Sequence, residues 1–260
     1  MLNRPIRLGA LALSVLGLTA LAVSPGSAAG SRPNVVRAVG RAKVIDAVER
    51  YRAILGPNNG GEPGSRGSGR REINWDGVPD ELAAPNALPG DFFNAPTAPR
   101  ARGAVLATPG DHVAVSADSD NPAHALPRFG DINASYAEQF QTFSAERLFS
   151  PVGSNVVDMT FRVPGSDVPA AVRGFGAVYT DVDLREGASF EYYDRAGRRL
   201  GSFSVPAAPQ GLSFLGVAYP APVVSRVRIR YGSTALGPND SRRYDVAVMD
   251  DFIFGEPVPF

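Results

Sequence analysis

The sequence predicts an all-β protein, an antiparallel and jelly-roll-like β-sandwich preceded by one N-terminal α-helix and a flexible linker. Eight or nine short segments after residue 103 are rich in strand-forming residues, and at least six of them alternate apolar and polar residues with the period of a half-buried strand. The chain has 28 Gly and 23 Pro, and these supply turn signals between most of the segments. No helical pattern separates the strands, which favours a sandwich over a parallel sheet.

The clearest alternation occurs in segments 155–163 and 225–231. Segment 212–219 is apolar on both faces and is therefore expected to lie inside a sheet. The other predicted strands are 104–107, 112–117, 175–183, 189–194, 200–205 and 244–254. The residues predicted to point into the core are Val157, Met159, Phe161, Phe175, Val227 and Ile229.

The first 29 residues have the three parts of a bacterial signal peptide. Arg4 and Arg7 form a basic segment without acids, residues 8–23 are apolar, and small residues precede a cleavage site near Ala29. An apolar run of this length is shorter than the roughly 20 residues that span a bilayer. We therefore expect a secreted or periplasmic protein that has no transmembrane segment after signal removal.

Two further regions precede the predicted sandwich domain, which covers residues 72–258. In region 30–55 the apolar residues Val44, Val48, Tyr51 and Leu55 recur at helical spacing. Region 56–71 is made of Gly, Pro, Ser and polar residues, a composition typical of a flexible linker. The sequence therefore predicts a separable N-terminal helix.

Composition excludes several functional classes. The formal net charge is zero at pH 7, so the chain lacks the basic excess of nucleic-acid-binding proteins. With two histidines and no cysteine, there is little material for a zinc site or a histidine-based triad. These observations favour a protein that is not an enzyme, although they leave carboxylate chemistry open.

Four aspartates are the candidate metal ligands. Asp181 and Asp183 share one side of an extended segment, and Asp250 and Asp251 stand inside an apolar strand. Buried carboxylates need a partner, and an exported protein meets Ca²⁺, which takes oxygen ligands. The alternatives are that the four residues bond turn amides and arginines, or that a pair of them acts as a glycosidase dyad.

The segment around Trp75 is the candidate ligand site. Asn74, Trp75 and Asp76 combine an indole, which can stack on a sugar ring, with groups that bind hydroxyls. Trp75 can equally be an apolar plug that docks its loop on the sandwich. Tyr193 is a further aromatic candidate. Arg226, Arg228 and Arg230 form an outward row that either binds an acidic polysaccharide or phosphate or pairs with acids on neighbouring strands.

Three segments carry a resemblance to a known group of proteins. Residues 69–77 (GRREINWDG), 175–183 (FGAVYTDVD) and 249–255 (MDDFIFG) resemble secreted bacterial β-sandwich proteins of uncharacterised function, with jelly-roll, carbohydrate-binding-like folds. The resemblance covers residues 69–258. It implies a fold and an exported location, and it transfers no catalytic residue.

The sequence leaves three hypotheses about function. The first is a non-catalytic exported module that binds a glycan or another cell-envelope component. The second is a polysaccharide-active hydrolase that uses an Asp/Glu pair, and the third is a purely structural envelope or matrix protein. The first is favoured because the sandwich pattern is clear whereas no catalytic constellation is visible.

Overall fold

The computed structural model describes residues 1–2, 32–238, 240 and 243–260. Almost all of the predicted signal peptide, residues 1–29, lies outside the described residues. Residues 31–260 form one compact unit. Within the described residues, no helix combines the length and apolar character that crossing a membrane requires.

The unit consists of strands with two short helices. The elements in chain order are β1 (Asn34–Val39), α1 (Arg41–Leu55), β2 (Arg70–Ile73), a 3-10 turn (Asp80–Leu82), β3 (Ala104–Ala107), β4 (His112–Val115), α2 (Tyr136–Gln139), β5 (Phe149–Val152), β6 (Val156–Arg162), β7 (Pro169–Ala171), β8 (Gly174–Val182), β9 (Ser189–Tyr193), β10 (Arg199–Ser204), β11 (Ala208–Ala218), β12 (Arg226–Arg230), β13 (Val248–Gly255) and β14 (Val258–Pro259).

The strands form two antiparallel sheets. Sheet 1 has the order β1-β11-β8-β13-β5-β4, with β2 also paired to β13. Sheet 2 has the order β10-β9-β12-β6-β7-β14, with β3 also paired to β6. The prediction of an all-β protein with two packed antiparallel sheets is confirmed, since apolar side chains of both sheets form one core.

The core lies between the sheets and contains the predicted inward residues. Val157, Met159, Phe161, Phe175, Val227 and Ile229 are all buried. Phe175 of β8 meets Phe190 of β9 edge to face, with ring centroids 5.0 Å apart. The period-two pattern therefore identified the correct face of β6 and β12.

Helix α1 covers the outer face of sheet 1. Its Val44, Val48 and Tyr51 pack against Leu212 and Phe214 of β11. Tyr51 lies so close to Gly216 that an added Cβ would be 2.7 Å from its ring, which requires glycine at that position. This cover explains why β11 is apolar on both faces. It is an interior strand, between β1 and β8.

The region before residue 72 differs from the prediction. Residues 34–39 form β1, which pairs with β11, and Gly40 at φ 85° separates this strand from α1. The segment expected to be a flexible linker is folded around Arg71, whose guanidinium donates to the carbonyls of Gly60, Glu62 and Gly64. The helix therefore belongs to the same compact unit as the sandwich.

Candidate functional site: an acidic cleft

A cleft of about 490 Å³ opens where β8 ends and β11 begins. Asp181 belongs to β8 and Asp183 follows it, while Gln210 belongs to β11. Helix α2 adds Gln139, and the loop before β13 adds Asp240. Side chains from four separate parts of the chain thus line one concave surface.

The backbone at this site departs from regular strand geometry. The pairing of β8 with β11 is interrupted between Ala208 and Leu212. Asp181 has φ 62° and Gln210 has φ 51°, a left-handed conformation that is uncommon for residues other than glycine. The Gln210 N–H donates to Asp181 Oδ1 at 2.6 Å and joins the two residues. Strained backbone of this kind clusters at functional sites.

Burial controls the protonation of the aspartate pair. Burial of Asp181, reinforced by the neighbouring carboxylates of Asp183 and Asp240, raises its pKa to about 7 although the Gln210 N–H opposes the change. Burial also raises the pKa of Asp183, and a hydrogen bond from Asp181 partly offsets that effect. Near neutral pH the carboxyl of Asp181 is therefore partly protonated.

Asp245 supports the cleft from inside the protein. Its carboxylate is fully buried and accepts hydrogen bonds from the backbone N–H groups of Asp183, at 3.2 Å, and Leu184, at 3.1 Å. Burial raises the pKa of Asp245. The carboxyl thus holds the turn that presents Asp183 to the cleft.

Two glutamines supply the amide groups of the cleft. Gln139 Oε1 is buried without a hydrogen-bond partner, and the carbonyl of Gln210 accepts from Gln141 Nε2 at 2.7 Å. Sequence reasoning missed Gln139, Gln210, Asp240 and Asp245. No pattern of residue spacing in the sequence identifies these four residues, because they approach Asp181 only through the tertiary fold.

The candidate metal ligands lie in two separate groups. Asp181 and Asp183 line the cleft, whereas Asp250 and Asp251 interrupt the pairing of β13 with β8. Among the described residues, no set of three or more His, Asp or Glu side chains is arranged to hold a metal ion. A joint calcium site, one of the alternatives that the sequence left open, is therefore not assembled in this part of the chain.

Asp250 and Asp251 meet at the hydroxyl of Ser144. Ser144 Oγ lies 2.9 Å from Asp250 Oδ1, 2.7 Å from Asp251 Oδ1 and 3.3 Å from Asp76 Oδ2. Burial and the adjacent Asp251 raise the pKa of Asp250 well above its usual value. Asp250 Oδ2 also accepts a hydrogen bond from the Phe143 N–H at 2.6 Å. This arrangement is an internal hydrogen-bond network with its polar atoms engaged.

Trp75, the aromatic residue of the ligand site proposed from the sequence, is not accessible to a ligand. Trp75 is fully buried and stacks on Phe149 with ring centroids 4.3 Å apart, and its indole N–H donates to the Asp250 carbonyl at 2.9 Å. The ring has the position expected of an apolar plug and is not accessible to a sugar. Asn74 is exposed, and Asp76 is half-buried beside Ser144.

Tyr193 lies on the outer face of sheet 2, whereas residues 74–76 follow β2 of sheet 1. The Arg226 guanidinium lies 3.9 Å from the Tyr193 ring centroid, and the Tyr193 hydroxyl donates to Glu191 at 2.6 Å. Arg226 and Arg228 both bind the carboxylate of Asp158. Arg226 and Arg228 of the arginine row are thus paired with an acid on the neighbouring strand, which is one of the two interpretations that the sequence allowed.

Comparisons with known proteins give little further information. No protein-family profile and no curated protein matches the chain. The enzymatically active domain of bacteriophage CBA120 tailspike protein 4 aligns with 65% of this chain and 21% of its own, at 13% identity and a TM-score of 0.27. The chain thus spans about a fifth of that protein's length. At this TM-score the similarity carries no argument about function.

Proposed function

We propose that this protein is an exported, non-catalytic β-sandwich module with jelly-roll-like connectivity, and that it binds a glycan or another hydroxyl-rich envelope component in the acidic cleft. The observation that carries the proposal is the lining of the cleft, in which the carboxyls of Asp181 and Asp183 share one concave surface with Gln139. The cleft volume of about 490 Å³ falls within the range of small-ligand sites.

The hydrogen-bonding groups of the cleft suit hydroxyls. An ionised carboxylate and an amide oxygen accept hydrogen bonds, and protonated Asp181 can also donate one. A sugar hydroxyl both donates and accepts, so it can pair with each of these groups.

The spacing of the acids favours binding over hydrolysis. The side chain of Asp181 acts directly on the pKa of Asp183, which indicates that the two carboxyls lie close together, whereas glycosidase carboxyls stand about 5–5.5 Å apart in retaining enzymes and about 6.5–9.5 Å apart in inverting ones. The pKa of about 7 for Asp181 is nevertheless suitable for a general acid, so polysaccharide hydrolysis is the alternative.

A glycan array followed by assay of each bound polymer for reducing-sugar release tests the proposal. We expect binding without release, and a loss of at least tenfold in affinity for Gln139→Ala and Asp183→Asn. Asp46→Asn is the matched control because it removes one exposed carboxylate on α1. Release that disappears in Asp181→Asn would support the hydrolase instead. Absence of both binding and release would support a purely structural protein.

A further inference from the structure

The outer face of sheet 2 presents a second set of charged side chains. In β6, β9 and β12, buried residues alternate with partly exposed ones. The charged residues on the exposed side of β6, β9, β10 and β12 are Arg162, Arg199, Arg226, Arg228, Arg230, Asp158 and Glu191. Five guanidinium groups therefore face two carboxylates, and this surface is positive although the whole chain is neutral.

The register of the strands arranges the arginines as an array. Residues two apart on one strand are roughly 7 Å apart, so Arg226, Arg228 and Arg230 form a row roughly 14 Å long on β12. Arg226 pairs across the ladder with Tyr193 of β9, which pairs in turn with Arg199 of β10. The array therefore extends both along and across the strands.

Asp158 and Tyr193 hold the central guanidinium groups in place. Asp158 accepts from Arg226 Nη1 at 2.8 Å and from Arg228 Nε and Nη2 at 3.0 and 2.7 Å. The side chains of Arg226 and Arg228 are still 28% and 43% exposed. Each guanidinium has five N–H groups, so further donors remain for a ligand after these contacts. Preorganised side chains lose less entropy when a ligand binds.

We propose that this arginine face binds a linear polysaccharide that carries carboxylate groups, at a surface distinct from the acidic cleft. Guanidinium groups bind carboxylates through two parallel hydrogen bonds, and the charge of the face is complementary to such a chain. The hydroxyls of Thr160, Ser189 and Ser202 share this face and match sugar hydroxyls.

Affinity electrophoresis in gels that contain alginate, a linear polyuronate, tests this inference. We expect alginate to retard the full chain, neutral dextran to leave it unretarded, and the retardation to decrease as salt is added. Arg199→Gln/Arg230→Gln leaves the Asp158 contacts in place, and we expect it to weaken alginate binding at least tenfold. Arg185→Gln, which removes an exposed arginine outside these strands, is the matched control.

Three outcomes would overturn the inference. They are no retardation by alginate, equal retardation of the double variant and the wild type, or single-stranded DNA bound as tightly as alginate. Fluorescence of the buried Trp75 establishes that each variant is folded. Since the cleft residues are unchanged in these variants, the result is independent of what binds in the cleft.

Discussion

Arg71 and Glu256 form a buried ion pair between residues 185 positions apart in the sequence, with Arg71 Nε 2.7 Å from Glu256 Oε2. Both side chains are almost completely inaccessible to solvent. Glu256 also accepts hydrogen bonds from the Asn59 side chain and the Arg66 backbone N–H. The pair therefore ties the polar segment before β2 to the residues that follow β13.

Replacing Arg71 with Ala is expected to destabilise the protein by about 3–5 kcal/mol, because it leaves Glu256 buried without its cation. Urea unfolding measures the change, and limited proteolysis should show new cleavage within residues 57–69. Arg50→Ala, an exposed arginine on α1, is the control and should change stability by less than about 0.5 kcal/mol. Wild-type stability in the Arg71 variant would contradict this role.

Replacing Asp181 with Asn should flatten the pH dependence of stability. Folded Asp181 has a pKa of about 7, whereas an unfolded aspartate has a pKa of about 3.9. Between these values the folded state holds a proton that the unfolded state has lost, so the wild-type free energy of unfolding decreases as pH rises. The full effect is on the order of 4 kcal/mol, since one pKa unit corresponds to about 1.4 kcal/mol.

Urea unfolding of wild type, Asp181→Asn and Asp46→Asn at about pH 4.5 and pH 7.5 measures this effect. Asn tolerates the left-handed backbone of position 181 and keeps an acceptor for the Gln210 N–H. The stability lost between the two pH values should be smaller in Asp181→Asn than in the other two proteins. Equal losses in all three would contradict the raised pKa.

Asp250→Asn should be far better tolerated than Asp250→Ala. Burial and the adjacent Asp251 raise the pKa of Asp250 and so favour its neutral acid, which Asn resembles in size and in having both a donor and an acceptor. We expect Asn to cost less than about 1 kcal/mol and Ala about 2–3 kcal/mol, because Ala leaves the Phe143 N–H unpaired. Urea unfolding at pH 7 distinguishes them, and equal losses would contradict this expectation.

Trp75→Phe should destabilise the protein by about 2 kcal/mol, because it removes the hydrogen bond to the Asp250 carbonyl and part of the stacking on Phe149. Circular dichroism during urea unfolding measures the loss. In the wild type, Trp75 is the single tryptophan, so its emission should shift to longer wavelength on unfolding. Emission of an exposed indole from the folded protein would contradict the burial of this side chain.

Melting curves in EDTA and in millimolar Ca²⁺ should coincide. The four candidate aspartates lie in two groups, and those at Ser144 already have internal hydrogen-bond partners. A ligand that binds the folded state stabilises it by about 2.7 kcal/mol at 100 times its Kd, which would shift the melting temperature visibly. Such a shift, abolished in Asp183→Asn, would restore the calcium hypothesis for the cleft.

The sequence predicted those features that consecutive residues encode. The alternation in residues 156–162 and 226–230 identified both strands and their buried faces, because a strand places successive side chains on opposite sides. The helical spacing of Val44, Val48 and Tyr51 identified the buried face of α1 for the same kind of local reason. The class of fold followed from these local periods together with the turn residues.

Contacts between distant positions needed the tertiary structure. Residues 56–71 have the composition of a linker, and their order depends on Glu256, which no local pattern connects to Arg71. The cleft likewise requires Gln139, Asp181 and Gln210 to meet through the pairing of β8 with β11 and the position of α2. Amino-acid composition and the spacing of apolar residues carry information about positions that are close in the sequence. The partners of a buried charge or of a cleft residue depend instead on strand order and register.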